Sequence, residues 1–207
     1  MQNMRQAPPS SYNHRAAQQR AHLMREVVEV LVFIGVTFLI INFTIKAYLI
    51  PSNAGMSPQL AENQWVLVNK AAYFFGGPGR GDVIVFQVPS DPSQLSIKRV
   101  IAVPGDTITL TATTVSVNQY TLKEPYISTL EGDSQNPVIV NEKLGADQYY
   151  VMGDDRIPSA GSDSRSPTIG TIPRPYIVGK AVLVFWPLSA FHFISSYDEI
   201  FSKVPSP

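Results

Sequence analysis

SIKRVIAVPGD, residues 96–106, has the character of a strand that ends in a tight turn. Apolar and β-branched residues dominate from Ser96 to Val103, and Pro104-Gly105-Asp106 supplies the turn chemistry that stops the run. Successive side chains point to opposite faces of a strand. Ser96, Lys98, Val100 and Ala102 therefore share one face, while Ile97, Arg99, Ile101 and Val103 share the other. Lys98 has apolar neighbours on its own face. A protein layer over that face would desolvate the ammonium, lower its pKa and make the amine a usable general base near neutral pH. A lysine facing water beside two small apolar residues is the plainer reading of the same pattern.

Outward from this stretch, similar runs recur at Trp65–Asn69, Asp82–Gln87, Thr107–Thr111, Thr114–Val117, Tyr149–Met152 and Ile177–Phe185. Gly76-Gly77-Pro78-Gly79 and Asn118-Gln119 mark turns between them. The 17 Pro and 13 Gly punctuate the chain too often for a helical bundle. A mainly β fold follows, a coiled and mostly antiparallel sheet. Its core is expected from residues 51–105 and 148–195, with a small β insertion at 106–147 and a C-terminal tail at 196–207. Within the insertion, EPYISTLEGDSQNPVIVNEKLG (124–145) is polar and Pro-containing, as a surface extension would be. The apolar run VLVFWPLSAFHF (182–193) is broken by Pro187 and too short to span a bilayer. It suits a core strand, alone or with aromatic residues at a membrane interface.

VLVFIGVTFLIINFTI, residues 30–45, contains no charged residue, and its apolar character continues past Lys46 to Ile50. As one helix, Val30 to Ile50 would rise roughly 31 Å and match a bilayer core, with Lys46 snorkelling to the far interface. Residues 26–50 are thus expected to form a transmembrane anchor, with Glu26 and Glu29 at its entry. A buried core helix would lack helical partners in a β-rich chain, and a cleaved signal peptide would need an A-x-A-like site that does not closely follow. Arg5, Arg15, Arg20 and Arg25 precede the span, whereas only Lys46 and Lys70 follow it before residue 75. This asymmetry predicts a cytoplasmic N-terminus, an unstructured tail over 1–25 and an exported domain, on the outer or lumenal side of a plasma membrane or an internal energy-transducing one.

Sixteen Lys+Arg balance sixteen Asp+Glu, so no nucleic-acid partner is expected. The chain has no cysteine, which removes disulfides, thiol nucleophiles and zinc-thiolate sites. His14, His22 and His192 lie far apart without metal-ligand spacing, and neither metal nor cofactor is expected. Asp154 and Asp155 are adjacent, a poor arrangement for a two-carboxylate glycosidase even with Asp163.

Read together, PSNAGMSPQL (51–60), GDVIVFQVP (81–89), KRVIAVPGD (98–106), GDDRIPSAGSDSR (153–165) and IVGKAVLVFWP (177–187) resemble the bacterial type I signal peptidase family, over about residues 25 to 190. That resemblance implies a signal-peptidase-like coiled β fold with one N-terminal transmembrane helix. It further implies a membrane-bound endopeptidase that removes signal peptides from exported preproteins, cutting after an Ala-x-Ala-like sequence with a serine nucleophile and a lysine base. Lys98 would be that base. Signal peptides and the lipid bilayer would be the partners.

The likeness breaks in two places. The family's first loop usually reads Pro-Ser-x-Ser-Met-x-Pro-Thr-Leu, with the serine before methionine as nucleophile. Here Asn53, Ala54 and Gly55 separate Ser52 from Met56, and Gln59 replaces the threonine. Gly55 has no side-chain oxygen to attack a carbonyl. Three readings remain: Ser52 acts as a displaced nucleophile, Ser57 is recruited instead, or cleavage is impaired and the chain binds signal peptides or a paralogous working peptidase. In the second block, Asp155 replaces the family's asparagine and two extra residues precede Asp163. The family's lysine-orienting serine then falls on Gly161, leaving Ser159 or Ser162 to take its role. Met56, Asp154, Arg156, Asp163 and Arg165 are expected to be structural groups near the site.

Overall fold

A computed structural model of the chain describes residues 11–51, 54–111, 114–127, 140–156 and 163–207. Two compact units emerge, Met1–Phe43 and Thr44–Pro207.

The first unit is built on one helix, α1 (Ser11–Thr44). It starts inside the segment expected to be an unstructured tail. Ala16, Ala17, Gln18, Gln19 and Arg20 are good helix formers, and this propensity carries the helix where apolar periodicity is absent. Its stretch His22–Thr44, 23 residues, is long and apolar enough to cross a bilayer. Leu31, Phe33, Phe38, Ile40 and Phe43 on it are all exposed, as lipid-facing side chains are. Among the described residues α1 is the one helix long and apolar enough for this, which supports a single-pass membrane protein.

The span ends earlier than expected. Ile45–Leu49 leaves the helix and forms strand β1, paired with β2 (Trp65–Asn69) in a continuous ladder from Ile45 opposite Asn69 to Leu49 opposite Trp65. An available strand partner outweighs the local option of continuing the helix.

The following strands are β3 (Val83–Val88), β4 (Asp91–Ala102), β5 (Thr107–Leu110), β6 (Val115–Val117), β7 (Tyr120–Thr121) and β8 (Val140–Lys143). They continue with β9 (Gln148–Met152), β10 (Ile172–Pro173), β11 (Ile177–Trp186) and β12 (His192–Phe193), and a short helix α2 (Asp198–Phe201) closes the order. Among the described residues the main sheet runs β1-β2-β11-β3-β4-β9-β10, with β12 also on β11, and a second sheet runs β7-β6-β5-β8. Every ladder is antiparallel. The fold is therefore mainly β, as the spacing of turns predicts. Asn118 and Gln119 both take left-handed φ values, 49° and 68°, the requirement of a two-residue hairpin turn between β6 and β7.

β4 is covered on both faces, with every residue from Ile97 to Ala102 buried. Ile97 packs in a cluster with Met56, Leu60, Val66 and Val85. Val100 lies with Ile84, Phe86 and Val151, while Ile101 and Ala102 join Ile108, Val117, Tyr150 and Met152. The second sheet thus shares a core with the first. Two further expectations change. Phe201 and Val204 are buried in that same cluster, so residues 196–207 are a packed strap rather than a tail. Tyr126 is buried there as well, which removes its part of the surface extension; residues 128–139 of that stretch lie outside the described residues.

Candidate active site

β4 delivers Lys98 and Arg99 to opposite faces of the main sheet. Lys98 is opposite Ile84 of β3 and fully buried, and its Nζ donates a hydrogen bond to the carbonyl of Ala54. Burial disfavours the ammonium and pulls the Lys98 pKa below the ordinary lysine value; the negative charge of Asp163 opposes this and the positive charge of Arg165 adds to it.

The Ala54–Leu60 loop is pinned from several sides. Ala54, Met56 and Leu60 are buried, and Leu60 N donates to Met56 O at 2.9 Å. Gly55 adopts φ 61°, a left-handed conformation that L side chains rarely take. Its carbonyl accepts the backbone N–H of Asp155 at 3.0 Å. The approach is so close that a Cβ on Gly153 would collide with the Gly55 carbonyl oxygen. The loop after β1 and the segment after β9 are therefore joined around Lys98. Ser57 is exposed. Ser52, Ser159 and Ser162 lie outside the described residues.

The acidic and basic groups of the second block form three pairs. Asp154 receives both Nε and Nη2 of Arg99, at 2.8 and 2.7 Å, and all of these groups are buried. Burial pushes the Asp154 carboxyl up, against the hydrogen bonds and charge of Arg99. Arg156 pairs with Glu124 and donates from Nε to Gly153 O at 2.9 Å. Asp163 is buried and would be raised by that alone. The hydrogen bonds and charge of Arg165, with the N–H groups of Gly153 and Arg165, outweigh burial and hold it below its ordinary value. Gly153 N donates to Asp163 Oδ2 at 3.2 Å, and Ser164 ties the segment to β9 by accepting Val151 N at 2.9 Å.

Some contributors escape a reading along the chain. The Arg99 guanidinium lies 4.5 Å from the Tyr126 ring and 5.1 Å from that of Tyr197. It also donates to Gly81 O and Ser195 O, each at 2.8 Å, and to Gln59 Oε1. His192 sets its Nδ1 2.8 Å from Ala190 O and its Nε2 2.9 Å from Gln59 O, so it supports the loop's backbone.

Chemically, the arrangement offers a desolvated amine beside a loop whose backbone is held by the Gly153–Asp155 segment. A lysine whose pKa is lowered in this way can accept a proton nearer neutral pH than an exposed one. The sequence profile described as "Signal peptidase, peptidase S26" matches residues 23–186. A signal peptidase I from Leptolyngbya laminosa is 34% identical over 191 residues, covering 89% of this chain and 90% of its own length. Signal peptidase IB of Staphylococcus aureus is 32% identical, with 82% of this chain and 94% of that protein covered. Signal peptidase I of Mycobacterium tuberculosis is 29% identical, covering 87% of this chain and 78% of its own.

Proposed function

The chain belongs to the signal peptidase S26 family, and from that premise we propose that it is a membrane-bound endopeptidase that removes N-terminal signal peptides from exported preproteins by serine-lysine acyl transfer. The observation that carries this reading is the burial of Lys98 with its Nζ against the Ala54 carbonyl. A lysine works as a general base only when it is neutral near the working pH and close to the nucleophile's loop, and burial together with this contact supports both.

In the proposed reaction Ser52 Oγ attacks the scissile carbonyl as neutral Lys98 takes its proton. The tetrahedral oxyanion is stabilised by backbone N–H groups of the 53–55 stretch. Collapse breaks the C–N bond, and the Lys98 proton passes to the leaving amine. Water, deprotonated by Lys98, then hydrolyses the acyl-enzyme and regenerates Ser52. Ser159 or Ser162 orients the lysine, and no cofactor takes part. The substrate is an extended peptide that pairs with a sheet edge. β1 is such an edge and runs directly into the loop. The bilayer anchor raises the local concentration of signal sequences.

Gly55 favours a second reading, a catalytically impaired homologue that binds signal peptides or a partner peptidase. It stands immediately before Met56 without a hydroxyl and in a left-handed conformation. A processing assay separates the two. Full-length protein in detergent is incubated with a preprotein bearing an Ala-x-Ala site, beside Ser52→Ala, Ser57→Ala and Lys98→Ala. Cleavage lost in Ser52→Ala and Lys98→Ala but kept in Ser57→Ala is expected. Loss confined to Ser57→Ala and Lys98→Ala would move the nucleophile to Ser57, and a parent that binds without cleaving would leave the impaired reading.

A further inference from the structure

The turn after β2 presents two adjacent phenylalanines to the outside: Phe74 is 63% exposed and Phe75 104% exposed. The backbone beneath them is fastened. Arg174 Nη2 donates to Tyr73 O at 2.5 Å and to Gly76 O at 2.8 Å, the carbonyls that bracket the pair. The same guanidinium lies 5.5 Å from the Tyr73 ring, and the buried Tyr73 hydroxyl donates to Asp82 Oδ2 at 3.0 Å. Phe74 N closes the short turn on Ala71 O at 3.1 Å. A guanidinium clamp and an anchored tyrosine thus hold two large apolar side chains away from the core, the reverse of what water alone would favour.

The position of this tip along the chain says what would cover it. Lys70 N donates to Thr44 O at 2.7 Å, and Asn69 pairs with Ile45. Thr44 is the last residue of the apolar stretch long enough to cross a bilayer. Phe75 is five residues beyond Lys70, so the chain places it at most roughly 18 Å from Lys70, the residue hydrogen-bonded to the point where that helix ends. Lys46 and Lys70 flank the same junction and suit anionic headgroups.

We propose that Phe74 and Phe75 form a second membrane-contact element, inserted into the interface of an anionic phospholipid bilayer beside the end of α1. The helix then supplies attachment, and the clamped pair fixes the tilt and height of the β domain over the lipid. This inference is independent of whether the chain cleaves anything.

The cysteine-free chain makes the test direct. Phe75→Cys and, separately, Phe74→Cys are made in the full chain, labelled with an environment-sensitive nitrobenzoxadiazole and placed in nanodiscs of phosphatidylcholine and phosphatidylglycerol. Lys143→Cys, on an exposed strand position of the second sheet, is the reference. With lipids brominated near the headgroup end of their chains, the label at 75 or 74 should be quenched at least about twofold more than the reference, as expected for an interfacial aromatic site. Quenching at both positions no greater than at 143 overturns the proposal. So does a label that ignores the lipid but is shielded by an added signal peptide, which would make the tip a peptide contact instead.

Discussion

Taking the Lys98 ammonium out of water has a consequence for stability as well as for chemistry. Its folded pKa lies below the ordinary lysine value of about 10.4. Between those two values the unfolded chain holds the proton and the folded chain does not, so stability rises with pH across that window. Lys98→Met, which fills the same space without a charge, is expected to stabilise the fold at pH 7 by roughly 1–3 kcal/mol and to flatten this rise. Thermal melts of parent and variant from pH 6 to 10 check it, and a variant less stable than the parent throughout would contradict it. Lys98 itself was legible through the KRVIAVPGD resemblance, whereas strand alternation alone left a water-facing lysine as the plainer reading. The surroundings of Arg99 were not. Its partners come from Gln59, Gly81, Tyr126, Asp154, Ser195 and Tyr197, brought together by tertiary structure and invisible to local periodicity. Ser52, Ser159 and Ser162 remain sequence expectations.

At the level of elements, strands with strong alternation and clear turn residues were readable, and β2 falls on the expected residues Trp65–Asn69. β1 was hidden because its residues continue an apolar run, so only the partner strand reveals that Ile45–Leu49 is extended. The C-terminal strap was hidden because its few apolar residues, Tyr197, Ile200, Phe201 and Val204, are interspersed with charged and polar ones and show no strand alternation. Its carbonyls also serve: Pro205 O accepts from Arg80 Nη2 at 3.1 Å and from Asn118 Nδ2 at 2.8 Å. Arg80 is paired with the fully buried Asp106 of the turn that ends the Lys98 strand. Deleting residues 196–207 is therefore expected to cost about 3 kcal/mol or more, since it empties two core positions and strips acceptors from a buried network. Urea unfolding of the full chain and the truncated form measures this; equal midpoints would show the strap to be ornamental.

The molecule as a whole combines a helix of membrane-crossing length with a β domain that begins one residue after it. The Arg-rich segment before the span favours a cytoplasmic N-terminus and an exported β domain. Protease added to spheroplasts is expected to degrade residues from about 60 onward, and complete protection of that region would reverse the orientation. The proposed acyl transfer rests on the family to which the chain belongs and on the buried Lys98, while Gly55 makes the identity of the attacking oxygen the point on which the account stands. The decisive measurement traps that oxygen. Full-length protein is mixed with a preprotein bearing an Ala-x-Ala site, quenched in acid within a single turnover, digested and read by mass spectrometry. The account predicts the signal peptide attached as an ester to Ser52, and no such adduct in Lys98→Met. An adduct on Ser57, or no adduct on any serine, would contradict it.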